Sequence, residues 1–472
     1  MDRSDAVPLD ASQLKKTLDE AGLGDRWARL GTVAGEEAAF LLQCVCRLDP
    51  AERILELKRL ETAQAERGAG FLGMLPDQIP DDLPVPTDLA ASLDAAVRLA
   101  EIRAANLEAL AETMPQYELS FAGNPVSFRQ TGTVPAGWCL DIDVHGIRAA
   151  LDFFDAEAPT QEAARAVAEM PAFAQMIRHR RELGYVPEPL IDADGFAWCL
   201  LHAASSDPID EIWKWLHPQN LFDLSDLHRY RADYRALIDR LSEGGALAGY
   251  ILGAIAPYSP KDVVFEDTLS FAVGWGIRGW ATEETGGMNI EHSKDHTAAM
   301  LPTLVHETFH RLQVFVARPN PEIGGKDFDR ITSYPFERIE DRRLYRALCY
   351  LMLEGSATFV ASEGTEDDWR DGAEPALDIL GRVHSLDPTA EDDASDEILH
   401  DGLRSNGPFY QFGALLSQAI VEEGGASSLG LALQEGAPFF IEHGMDLLGD
   451  ASPKLPVNLA AAIAALREKI SP

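Results

Sequence analysis

The segment Leu304-Val305-His306-Glu307-Thr308-Phe309-His310 places an H-E-x-x-H pattern inside an apolar run, Thr297 to Ala317, whose only other charged residue is Arg311. Two histidines four apart on a helix leave the same face one turn apart, so both imidazoles can reach a single metal ion. Glu307 points beside that face, where it can take a proton from a water that the metal polarises. A polar triplet in a helix that otherwise reads as buried needs a reason, because unpaired polar groups in a core are costly. The alternative is a pair of hydrogen-bonded core histidines beside a chance glutamate.

Two histidines and a base still lack a third protein ligand. From Ala347 to Ser362 the chain reads ALCYLMLEGSATFVAS, and Glu354 is the only charged residue in it. Ala347, Leu351, Glu354 and Thr358 step by four, three and four, so they share one helical face. An isolated carboxylate in a helix that is apolar all round is expensive unless it meets a cation. A zinc ion held by His306 and His310 is such a cation. An arginine from a neighbouring turn, Arg342 or Arg343, is the other.

At these residues the chain resembles the gluzincin class of zinc metallopeptidases. His306, Glu307 and His310 match its first motif, and Glu354 matches its downstream glutamate. The details LVHETFH, LEGSATFV and PFYQFGALL are most similar to bacterial families of zinc-dependent peptidases that remain uncharacterised. The resemblance covers roughly Val263 to Val421. It implies that the two histidines and the later glutamate bind zinc, with the motif glutamate as general base. It also implies a Tyr-x-x-Gly element after the glutamate, here Tyr410 and Gly413. The Tyr410 hydroxyl is then a candidate donor to the oxyanion formed when water attacks a carbonyl; a place in an aromatic cluster with Phe409 and Phe412 is the competing reading. The chain departs from the pattern twice. His310 and Glu354 are 44 positions apart (354 − 310), longer than in the best-known gluzincins. Thr358 stands where some members carry an aspartate that orients a zinc histidine, so the orienting group is unassigned.

A chain of 472 residues suggests two or three domains. Its 46% hydrophobic and 25% charged content are those of a globular protein. The net charge of −37 opposes binding to nucleic acid or to an anionic membrane, because phosphate is repelled. Cationic substrates or a solvated acidic surface both fit it. Five cysteines, at 44, 46, 139, 199 and 349, include no C-x-x-C pair, so neither a disulfide frame nor a cysteine zinc knuckle is expected. The first sixteen residues have no apolar core of the kind a secretory signal needs, and no stretch of eighteen uninterrupted apolar residues exists. The expected compartment is the cytoplasm.

Residues 12 to about 113 read as helices, with amphipathic runs at Glu36 to Arg67 and Leu89 to Met114. The stretch that follows, YELSFAGNPVSFRQTGTVPAGWCLDIDV, is punctuated by Gly and Pro and reads as short strands. A boundary near Pro115 then separates an N-terminal helical region, 1–116, from a hydrolase domain, 117–472, with its core motifs in 261–425. Further helices are expected at Ile147 to Asp155, Gln161 to Gly184, Ala193 to Ser205, Leu227 to Leu241 and Ala246 to Ile255. Strands are expected at about 262–266, 269–274 and 287–292, just before the motif helix. Gly274, Gly276 and Gly279 allow close backbone approach by a substrate, or are plain hairpin glycines. Glu391 to Glu397 reads as an acidic loop within a loop-like stretch that runs from the Glu354 helix to about Ser405. His384, His400 and Arg404 are weaker candidates for contact with a transition state.

The expected fold class is α+β and mostly helical: a zincin-like domain with a small mixed sheet before the H-E-x-x-H helix, plus the N-terminal helical region. The expected function is hydrolysis of a peptide or protein substrate, with His306, His310 and Glu354 on Zn2+, Glu307 as base and Tyr410 as oxyanion donor. A zinc amidase or esterase acting on a small molecule is one rival. A zinc-stabilised interaction domain without catalysis is the other.

Overall fold

A computed structural model describes residues 16, 18–19, 21–34, 42, 89–113, 116–121, 124–129, 133–182, 192–203, 224–243, 245–260, 263–274, 279–281, 286–290, 297–316, 332, 334–362, 369–390, 392–404, 407–449 and 453–470. The chain divides into two compact units, Met1–Pro115 and Gln116–Pro472. In the first, helices α1 (Gly24–Ala34) and α2 (Leu89–Thr113) pack together. Alanine and leucine give α2 high intrinsic helicity, and Leu93, Ala96, Val97 and Ala100 repeat at the spacing that buries one face. Arg26 pairs with Asp94 across the two helices, and Arg29 with Glu101 at 2.6 Å. Apart from Leu42, the run Glu36 to Arg67 lies outside the described residues.

The second unit opens with an antiparallel hairpin, β1 (Gln116–Phe121) and β2 (Asn124–Arg129). Strand β3 (Cys139–Asp143) leads to helices α3 (His145–Asp155), α4 (Gln161–Ala168), α5 (Pro171–Glu182), α6 (Ala193–His202), α7 (Ser225–Arg229), α8 (Arg231–Leu241) and α9 (Ala246–Ile255). The single helix expected from Gln161 to Gly184 is two. Proline lacks the N–H that would continue α4, and its ring clashes with the preceding turn, so the chain restarts at Pro171.

Strands β4 (Glu266–Ala272), β5 (Gly279–Ala281) and β6 (Gly286–Asn289) complete a four-stranded sheet in the order β3-β4-β6-β5. The first three strands in that order run parallel, and β5 is antiparallel to β6 at the edge. Where two strands are expected, at 262–266 and 269–274, the described residues hold one: residues 263–265 are not strand, and β4 begins at Glu266 and ends at Ala272. β4 runs unbroken through 267–268, the gap between the two expected ranges, because the Asp267 side chain is buried there and bonded to Arg311, 2.7 Å away. The expected 287–292 strand begins one residue earlier, at Gly286, and residues 291–292 lie outside the described set.

Helices α10 (Thr297–Val316) and α11 (Ile339–Ala361) follow, then α12 (Ala373–His384), α13 (Asp392–Leu403), α14 (Pro408–Gly424), α15 (Ala426–Glu435), α16 (Ala437–Leu448) and α17 (Val457–Ile470). From Asp392 the loop expected across 391–397 is instead the start of α13, residue 391 lying outside the described set, and α12 also lies in the stretch that reads as loop. Ser395 and Leu399 are buried four apart, so a narrow face of α13 joins the core while Asp396 and Glu397 stay in solvent. In α12, Ala373, Ala376, Leu377, Leu380 and Val383 keep helical spacing. Charge content hid both patterns. The second unit is thus mostly helical with a small mixed sheet, an α+β arrangement. Among the described residues no helix is long and apolar enough to cross a membrane. Cys139, Cys199 and Cys349 are thiols rather than halves of a disulfide; Cys44 and Cys46 lie outside the described residues.

Candidate metal centre

Helix α10 lies against β5 and β6 on one side and against α11 on the other. Its buried positions include Leu304, Val305, Phe309 and Leu312, and Thr308 satisfies its hydroxyl by donating to Leu304 O at 2.7 Å. Arg311 reaches the sheet through its buried bond to Asp267, with both side chains 6% exposed. That pair sets the register of α10 against β4. A second device sets its distance from the sheet. A Cβ at Gly279 would lie 2.5 Å from Glu307 Cγ, so the edge strand runs directly against the glutamate side chain. The close approach anticipated at Gly279 is made by the protein's own Glu307. Gly274 takes a positive φ of 84°, as a turn requires, and Gly276 lies outside the described residues.

Helices α10 and α11 bring three donors together. His306 Nε2 and His310 Nε2 are 3.0 Å apart. Glu354 Oε2 lies 3.4 Å from the first and 3.3 Å from the second. Around a tetrahedral ion with bonds of about 2.0–2.1 Å, neighbouring donors stand about 3.3–3.4 Å apart. The triangle is that size to within a few tenths of an ångström, and its members form the one group of His, Cys, Asp and Glu side chains with metal-holding geometry among the described residues. His310 is 7% exposed, His306 17% and Glu354 20%, so one donor is buried and the other two keep partial access to solvent. Arg342 and Arg343, the other partners considered for Glu354, donate to backbone carbonyls of Phe336, Asp387 and Ala390.

The charges reinforce this arrangement. Burial alone would lower the pKa of His310, but the adjacent Glu354 carboxylate outweighs it, helped by Glu307 and a bond to Gln313, and raises it to about 9. Burial would raise Glu354, but His310 and His306 hold its carboxyl well below the usual range. Glu307 is moved the other way: burial raises it above an ordinary carboxylate, against the pull of both imidazoles, and Glu354 adds to the rise. A general base works best with a pKa near the operating pH, so this direction suits proton transfer.

Tyr410 stands on the first turn of α14. A Cβ on Gly413 would lie 2.2 Å from Leu351 O, and one on Gly355 would lie 2.2 Å from Gly413 Cα, so α11 and α14 touch backbone to backbone beside Glu354. This contact carries Tyr410 to His306, with their rings near parallel at 19° and centroids 6.2 Å apart. Phe409 and Phe412 are fully buried, whereas Tyr410 is half-buried on the site side. Of the weaker candidates, His384 ends α12, His400 is exposed on α13, and Arg404 pairs with Asp401 at 3.0 Å.

Gln313, which no motif marks, meets His310 from behind: its Oε1 is 2.9 Å from His310 Nδ1. Its signal was available as a lone amide in the apolar run, three residues past the motif.

The titration of His310 has a testable consequence. In the metal-free protein its raised pKa contributes stability that is complete below 6.5 and is lost as pH rises through about 9. A metal ion needs the neutral imidazole, so binding at pH 7.5 is expected to release about one proton, and affinity should rise about tenfold per pH unit below that pKa. Calorimetric zinc titrations in buffers of different ionisation enthalpy measure the proton directly. Affinity that is flat from pH 7 to 9, with no proton released, would refute the assignment. The chain matches no protein-family profile, no curated protein and no solved structure, so the chemistry of the site is read from its geometry.

Proposed function

We propose that the chain is a zinc-dependent peptidase of the gluzincin kind. The observation that carries this reading is the meeting of His306, His310 and Glu354 from two helices, with Glu307 beside them and raised in pKa. Two imidazoles in the donor set favour zinc over calcium or magnesium, which prefer oxygen. A zinc ion held there would lower the pKa of a water towards neutrality and polarise a carbonyl. Glu307 takes the proton of the attacking water and later returns it to the leaving amine. Tyr410 donates its hydroxyl to the carbonyl oxygen as charge develops on it. Strand β5, last in the strand order among the described residues, lies beside Glu307, the side of the sheet to which an extended peptide would add.

The zinc-loaded protein is expected to cleave unfolded casein or a mixed peptide library, to stop when a chelator strips the metal, and to recover when zinc is returned. Turnover of small amides or esters with no cleavage of polypeptide would move the assignment to the first rival. A protein that holds zinc tightly and cleaves neither class would support a scaffold.

A further inference from the structure

We infer that Gln313 is the positioning residue of the metal centre: it holds the His310 imidazole with Nε2 turned inward and ties it to the helix that supplies Glu354. This rests on the metal-site reading above. Gln313 is 1% exposed and lies three residues beyond His310 on α10. Its amide nitrogen is 2.9 Å from Leu353 O and 2.8 Å from Ser356 Oγ, both on α11. Its amide oxygen faces His310 Nδ1 at 2.9 Å.

Hydrogen-bond accounting fixes the direction of each contact. Leu353 O can only accept. Ser356 Oγ spends its single proton on Met352 O, 2.6 Å away, so it too accepts from Gln313. Both neighbours at that end require a donor, which places the NH2 group there and the carbonyl oxygen towards His310. A carbonyl oxygen accepts, so His310 Nδ1 must carry a proton. In the neutral ring the lone pair then falls on Nε2, the atom that faces His306 and Glu354. Leu353 directly precedes Glu354, so one amide sets the tautomer of one ligand and clamps the backbone next to another.

The test compares Gln313→Leu, which keeps the volume but neither accepts nor donates, with Gln313→Glu, which keeps an acceptor for His310 Nδ1–H. Zinc affinity is measured for wild type and both variants against a competing chelator at pH 8, alongside the melting temperature of each metal-free protein. Gln313→Leu is expected to bind zinc roughly 10–100-fold more weakly. Gln313→Glu should recover most of that affinity, although it loses the donor contacts to Leu353 and Ser356. A Gln313→Leu protein with wild-type affinity would overturn the inference and leave the metal site standing. Equal weakening in both variants that follows a fall in metal-free melting temperature would show a packing role only and overturn it too. Wild type that binds no zinc would overturn the metal site itself. If Gln313→Leu fails to fold, the His310 tautomer of the wild-type protein decides. Ring-15N spectra of the zinc-loaded protein give an independent reading, since His310 must appear protonated at Nδ1; protonation at Nε2 would refute the assignment.

Discussion

Glu307→Gln is expected to fold, to keep its zinc and to lose peptide hydrolysis by roughly 10²–10⁴-fold. The amide matches the carboxylate in size and fits the same space against Gly279, where the strand leaves room for little else. It retains one acceptor oxygen for a water but cannot take its proton. Two features support assigning the base to this residue. Burial raises its pKa, while both neighbouring imidazoles keep it from rising further. It also stands between the donor triangle and the edge strand, where an extended substrate would pass. The measurement is kcat on a peptide substrate with zinc content determined on the same sample. Full zinc with undiminished kcat would end the mechanism. Lost zinc would mean that the glutamate supports the metal rather than the proton.

The parts of this site that could be read in the sequence are those that share one element. His306 and His310 lie four apart on one helix, so spacing alone put them on one face, and their Nε2 atoms stand 3.0 Å apart. Glu354 announced itself as a single charge in an apolar helix, a pattern that demands a partner wherever that partner lies. Groups whose role depends on a distant partner were not legible. Asp267 falls in the gap between two expected strands because nothing local marks Arg311, 44 residues on, as its counter-charge. Gln313 carries no charge, and its three contacts fall on His310 and on α11, some forty residues away. Gly279 resembles any hairpin glycine until the side chain that occupies its missing Cβ position is known. Helix α13 was obscured for another reason: its buried face is narrow, and composition outweighed periodicity.

His310→Ala and His306→Ala are each expected to reduce zinc from about one ion per chain to a residual amount, a larger loss than the 10–100-fold typical of an orienting partner. A tetrahedral site with three protein donors has no spare, and the vacated position would open to water. Glu354→Gln should be distinguishable from both. It leaves two imidazoles 3.0 Å apart but removes the carboxylate that raises the His310 pKa to about 9. With that cause gone, burial opposes only the smaller pulls of Glu307 and Gln313, and the His310 pKa is expected to fall from its raised value towards its ordinary 6.5. Zinc binding to Glu354→Gln should therefore be weaker and should release little or no proton at pH 7.5, in contrast to wild type. A structural ion pair offers no reason for these changes to travel together. Chelator competition and calorimetry on the same preparation measure both. Wild-type affinity with the proton still released would remove Glu354 from the ligand set, because a carboxylate that neither charges His310 nor meets the metal has no place in it.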